Sequence, residues 1–283
     1  MTPLDLAQAG ELTGTLAKMP ATLDKTVRYS LSVGEWQLPL NPLLGRKIVL
    51  EHTGAIHCTH CGKKTKKSFS QGYCYVCFKR LPQCDLCIMS PEKCHYDQGT
   101  CRDSRWGDQF CMTDHIVYLA NSSGLKVGIT RATQIPVRWI DQGATQALPF
   151  FRVATRYLSG LVEVLFKAHV NDRTNWRAML KGPAEAIDVQ DAATALLAGN
   201  QRGIEALRQA HGLRSVQALS SPEPVTLDYP VLEYPTKVIS RSFDKTPVIE
   251  GTLMGIKGQY LLLDTGVVNI RKHTAYQVHV SVQ

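Results

Sequence analysis

The chain has 283 residues, enough for two or three compact units of roughly 100 to 150 residues each, so apolar cores and not disulfides are expected to hold it together. Hydrophobic residues make up 44% of it, and no uncharged apolar run approaches the roughly 20 residues of a membrane helix, which predicts a soluble protein with no membrane partner. The formal net charge of +8 permits a polyanionic partner without naming one.

The first stretch, MTPLDLAQAGELTGTLAKM, places Asp5 ahead of any basic residue and lacks the basic-then-apolar layout of a secretory signal. The expected location is cytoplasmic, a reducing compartment in which cysteines serve as metal thiolates more often than as disulfides. Residues 1–56 are expected to form an N-terminal β unit. VRYSLSV and RKIVLEH are rich in strand formers, and GEWQLPLNPLLG between them carries Gly and Pro punctuation.

All nine cysteines fall between Cys58 and Cys111, which sets off residues 57–114 as a metal-binding region. Cys58-x2-Cys61 and Cys74-x2-Cys77 each bring two thiolates to one ion, and the two pairs complete a closed four-sulfur zinc site. A second set follows, and a second zinc ion is expected on Cys84, Cys87, Cys101 and Cys111, with Cys94, His95 and His115 as alternates. An iron–sulfur cluster is the alternative for this second set, because four thiolates suit it too. Between Cys58 and Arg80 there is no acidic residue, while Lys63, Lys64, Lys66 and Lys67 stand among Phe69, Tyr73, Tyr75 and Phe78. Cations interleaved with aromatic faces suit single-stranded nucleic acid.

Residues 115–220 begin with HIVYLANSSGLKVGIT, two apolar runs about a polar loop. If Ala120 paired with Leu125 across NSSG, Tyr118 and Lys126 would fall on opposite faces of the sheet unless a bulge or an asymmetric loop intervened. In RYLSGLVEVLFKAHV the apolar residues Leu158, Leu161, Val162, Leu165 and Phe166 recur at three and four, one face of an amphipathic helix. Two further helices are expected at roughly 185–198 and 201–211, the second ended by Gly212.

With Ile116-Val117-Tyr118 at the first triplet and Lys126-Val127-Gly128 at the second, followed by Arg138 in PVRWIDQG and Glu163 in GLVEVLF, this segment resembles the GIY-YIG nuclease family. The resemblance implies a small sheet with helices. It also implies a catalytic group of Tyr118, Lys126, Arg138 and Glu163: a base near the water, an arginine on the phosphorane, and a glutamate holding one Mg²⁺ or Mn²⁺. Lys126 occupies the second tyrosine's place, and a protonated lysine there is a phosphate contact. Read without the resemblance, Tyr118 is a half-buried strand tyrosine, Arg138 beside Asp141 is a surface ion pair, and Glu163 is a solvated side chain. Zinc knuckles leading into VYLANSSGLKVGIT, RWIDQGA and DRTNW are also similar to a bacterial family of unknown function that joins a cysteine-rich segment to a GIY-YIG-like unit.

SSPEPVTLDYPVLEYP places four prolines in 16 residues and reads as a linker into a C-terminal β unit spanning 221–283. GIKGQY has no helix after it and reads as a turn, not a nucleotide loop. GTLAKM from Gly14 and GTLMGI from Gly251 fit either a repeated module or two ends that pair in one barrel. The fold class expected is α+β. The expected function is a zinc-containing nucleic-acid-binding protein, DNA or RNA, with metal-dependent nuclease activity as its specific form. A non-catalytic interaction or metal- or redox-sensing protein is the alternative.

Overall fold

A computed structural model describes residues 2–3, 11–170 and 174–283. Asp172 and Arg173 of the DRTNW motif, and the acidic start at Asp5, lie outside these residues. The chain is α+β, with three sheets and a cysteine-rich segment placed ahead of the hairpin.

The two ends of the chain meet in one sheet. Strand Lys47–Ile56 pairs antiparallel with Val248–Lys257 on one side and with Tyr276–Val282 on the other. Glu11–Thr15 then adds to the far edge of Tyr276–Val282, giving a seven-stranded sheet. Segments 1–56 and 221–283, expected as separate β units, thus share a sheet, as the second reading of the GTL motifs allowed. Gly14 is needed where strands cross: a Cβ there would lie 2.6 Å from the Gly34 nitrogen. GIKGQY is the tight turn from Val248–Lys257 into Tyr260–Leu263, with Gly258 at φ 62°.

The hairpin belongs to a separate five-stranded sheet, with His115–Asn121 inside it and Leu125–Arg131 at its edge. His115–Asn121 pairs with Leu125–Arg131 and with Gln146–Val153, and short strands Val216–Ala218 and Val225–Thr226 extend it. Every residue of His115–Asn121 is buried. Ile116, Tyr118 and Ala120 face the large core shared with the end-to-end sheet. Val117 and Leu119 face a second core under the helices Arg156–Lys167 and Val189–His211. A strand covered on both faces reads as a continuous apolar run, which is why its sequence shows no alternation.

Helix Arg156–Lys167 forms where periodicity placed it. The Thr155 hydroxyl accepts from the Leu158 amide at 3.2 Å to cap it, and Leu158, Val162 and Phe166 enter the core. The two helices expected after it are one, Val189–His211, capped by Asp188 and ended at Gly212 with φ 95°. Gly199 and Gly203 suggest a break, each costing about 1 kcal/mol relative to alanine, but tertiary packing overrides them. Leu165 lies against Gly203, where a Cβ would stand 3.0 Å from its Cδ2. The proline-rich stretch is packed chain: Leu227 and Tyr229 are buried, and the Tyr229 hydroxyl donates to the Ala144 carbonyl at 2.8 Å.

Candidate metal centre and hairpin cluster

Strand Lys47–Ile56 runs almost directly into Cys58, where a local turn shapes the first knuckle. The Cys58 amide donates to the Lys63 carbonyl at 2.9 Å and the Gly62 amide returns to the Cys58 carbonyl at 2.8 Å, with Gly62 at φ 69°. The second limb is Cys74 and Cys77, with Cys74 the extended residue ahead of helix Tyr75–Arg80. Four sulfurs, on Cys58, Cys61, Cys74 and Cys77, lie within 4.8 Å of one another, and the Cys61–Cys74 separation is 3.8 Å. Thiolates around a tetrahedral ion with bonds of ~2.3 Å stand ~3.8 Å apart, so this group can hold one metal ion. Burial opposes ionisation of Cys58, but hydrogen bonds from the amides of Cys61, Cys74 and His60 outweigh it and lower its pKa to about 6.

The later cysteines separate. Cys87, Cys94, Cys101 and Cys111 line one small pocket together with Asp85, His95 and Arg102, and the donor atoms that lie within 4.8 Å of one another there are those of Asp85, Cys87 and His95. Cys84, expected in this set, is not in that lining, and burial raises its thiol pKa. Cys94, an alternate from the spacing, is in that lining. Burial pushes the Cys87 thiol up to about 11 and raises Cys111 as well. His115 is fully buried, its Nδ1 donating to the Thr113 carbonyl at 2.7 Å, and burial lowers its pKa to about 4.

The hairpin register differs from the one drawn across NSSG. Asn121 pairs with Leu125, leaving the three-residue loop Ser122–Gly124 with Gly124 at φ 122°, and Ala120 pairs with Lys126. The Tyr118 partner is Gly128, so Tyr118 and Lys126 share a face. The tyrosine ring lies directly on Gly128, where a Cβ would stand 2.7 Å from Cζ and the hydroxyl. The Tyr118 hydroxyl donates to Gln142 Oε1 at 2.9 Å, and the Arg138 cation is near enough to pull the phenol's pKa down against burial. The Glu163 carboxylate is near enough to act on that phenol, although the dominant influence is burial, which raises the tyrosine pKa.

The expected catalytic residues are all committed to partners. Tyr118 is fully buried; Lys126 is 4% exposed and donates to Thr174 Oγ1 at 2.6 Å. Glu163 pairs with Lys167 at 3.5 Å. Asp141 pairs with Lys18 at 2.6 Å and Arg271 at 3.8 Å, not with Arg138. Gln142 and Thr174 were not singled out in the sequence, because a neutral side chain carries no spacing signature until the fold brings it to a partner.

The knuckle surface is basic. Lys63, Lys64, Lys66 and Lys67 are exposed, Lys67 sits 5.6 Å from the Phe69 ring centre, and Phe69 stacks on Phe78 with Tyr75 at its edge. Tyr75 is 57% exposed.

These features define an α+β protein with a cysteine cluster able to hold a metal ion, and no helix among the described residues is long and apolar enough to cross a membrane. A family model described as "Protein of unknown function (DUF2797)" matches residues 45–278, and the chain belongs to that family. No curated protein and no solved structure matches it.

Proposed function

We propose that the protein binds nucleic acid through its cysteine knuckle, with zinc as the ion on Cys58, Cys61, Cys74 and Cys77. The observation that carries this reading is the surface of that knuckle: four exposed lysines beside an exposed Tyr75, on a segment without a carboxylate. Lysines attract the phosphate backbone and release its counterions, while an aromatic face stacks on bases irrespective of sequence. The expected result is binding of single-stranded oligonucleotides that weakens steeply with salt, followed by fluorescence anisotropy. Replacing Lys63, Lys64, Lys66 and Lys67 with Gln is expected to lower affinity at least tenfold and to reduce the log–log salt slope by about 3. Flat salt dependence in the native protein, or unchanged affinity in the variant, sinks the proposal.

A second reading, phosphodiester hydrolysis by the group the GIY-YIG resemblance implies, is favoured by Arg138 and Glu163 standing around the Tyr118 phenol. In it Arg138 contacts phosphate and Glu163 holds Mg²⁺ or Mn²⁺. Tyr118, protonated and buried, positions Arg138, leaving Lys126 as the candidate base. Single-stranded, duplex and structured RNA and DNA are expected to be cut with one of these ions, and Glu163→Ala to abolish the cutting. Intact substrates throughout, or equal cutting by the variant, reject hydrolysis and leave binding standing.

A further inference from the structure

We infer that the loops after the knuckle carry a mixed-donor metal site, in which one zinc ion is held by a carboxylate oxygen of Asp85, the Cys87 sulfur and His95 Nε2. The donor atoms of these three side chains lie within 4.8 Å of one another. Asp85 joins the turn Pro82–Cys84 to the turn Leu86–Ile88, Cys87 lies in the second of these, and His95 stands just ahead of the turn Tyr96–Gln98. Cys94, Cys101 and Cys111 line the same pocket without joining that donor group.

The hydrogen bonds of His95 show which nitrogen is free to bind. Nδ1 is 2.8 Å from the Thr100 hydroxyl oxygen, and that hydroxyl donates to the His95 carbonyl at 3.3 Å, so the oxygen accepts and Nδ1 carries the proton. A neutral ring then presents the Nε2 lone pair, and what it faces is another acceptor, Asp85 Oδ2 at 3.5 Å. Two acceptors face to face need a cation between them. A proton on Nε2 would serve that pair alone, whereas the Cys87 sulfur in the same group is a ligand for a metal ion. Nitrogen and oxygen bound to a tetrahedral zinc at ~2.0–2.2 Å stand ~3.4 Å apart, close to the 3.5 Å between Nε2 and Oδ2.

The neighbouring side chains hold these donors in place. Arg102 donates to the carbonyls of Phe78 at 3.2 Å and Leu81 at 3.1 Å, and its Nε donates to Asp85 Oδ2 at 2.7 Å. An ionised carboxylate offers about four lone-pair sites, so this contact orients Asp85 and leaves sites open for an ion. The hydrogen bond to Thr100 does the same for the imidazole, fixing its tautomer and ring plane. Zinc accepts all three donor types, and three protein ligands leave its fourth tetrahedral position to water.

The site also has a mechanical place in the fold. An ion on Cys87 and His95 closes a loop that contains the turn Pro91–Lys93. Helix Arg156–Lys167, which carries Glu163, packs on that turn so closely that a Cβ on Gly160 would stand 2.4 Å from the Glu92 nitrogen. Closing the loop fixes the surface on which the helix sits.

This inference does not rest on what the knuckle surface binds. Its test is zinc content per chain by elemental analysis of full-length protein purified from zinc-supplemented medium, together with X-ray absorption at the zinc edge. His95→Ala is expected to hold one ion fewer than the native protein, and Cys94→Ser and Cys101→Ser to keep the native content. The native spectrum is expected to mix sulfur with nitrogen and oxygen neighbours and to carry the imidazole signature. Unchanged content in His95→Ala, loss of an ion from Cys94→Ser or Cys101→Ser, or a shell of sulfur alone overturns the assignment. Because the readout is a difference of one ion, an empty Cys58 quartet would lower every count equally and leave the result legible. Should His95→Ala fail to fold, the spectrum of the native protein decides.

Discussion

With the proposed ion on Cys58, Cys61, Cys74 and Cys77, its removal by a strong chelator or by Cys77→Ser is expected to unfold residues 58–80 while the hairpin of the five-stranded sheet stays folded. The knuckle has little apolar packing of its own, and a few hydrogen bonds to residues 271–275 tie it to the end-to-end sheet. Of its side chains only those of Cys58 and Cys77 are buried, and in the aromatic cluster Phe69 and Phe78 are half-buried and Tyr75 exposed. In small zinc domains metal binding supplies about 10–16 kcal/mol of apparent free energy, which in effect is the folding energy. Without the ion, four thiols would be left around a void, and thiols hydrogen-bond only weakly. The hairpin is secured by two cores that contain no residue of 58–80. Amide hydrogen exchange is the measurement. Protection should vanish over 58–80 and persist over 115–131, and protection retained in 58–80 after verified loss of metal refutes a structural role.

The second large effect is expected from Gly128→Ala. A methyl group there would collide with the Tyr118 ring at 2.7 Å, and the ring is fixed by Trp139 at 6.0 Å between ring centres and by the hydrogen bond to Gln142. With nowhere for a fully buried tyrosine to move, overpacking should cost about 2–3 kcal/mol in denaturant unfolding. Gly182→Ala, where a Cβ meets nothing within 4 Å, is the control and should stay within about 0.5 kcal/mol. The penalty at Gly128 should shrink in a Tyr118→Leu background, because the two residues are in contact and their effects are not additive. Equal penalties in both backgrounds would exclude the collision as the cause.

What could be read from the sequence was local. Each C-x2-C knuckle is closed by hydrogen bonds a few residues apart, so spacing alone found the Cys58 quartet. Helix Arg156–Lys167 was legible because five apolar residues repeat on one of its faces. Cys84 opens a third C-x2-C pair, but it sits in the Pro82–Cys84 turn and does not line the pocket that Cys87 lines. Asp141 misled by proximity in sequence to Arg138, when its cations come from Lys18 and Arg271 at the two ends of the chain. The hairpin register turned on a single loop residue, and a one-residue change in loop length moves Lys126 from one face to the other. The joining of the ends through Lys47–Ile56 is a pairing across more than two hundred residues, of which only the two short GTL motifs gave any hint.

The knuckle continues strand Lys47–Ile56, and it is also fastened elsewhere. The His57 amide donates to the Ala275 carbonyl at 3.0 Å, the Ser68 hydroxyl to the Thr274 carbonyl at 3.0 Å, and Arg271 to the Gln71 side chain at 2.5 Å. The entry to the first limb and the loop between the two limbs are thus both tied to the end-to-end sheet. A partner settling on its lysines would meet a surface whose shape is set in advance, and little of the attraction would be consumed in bringing that surface to order.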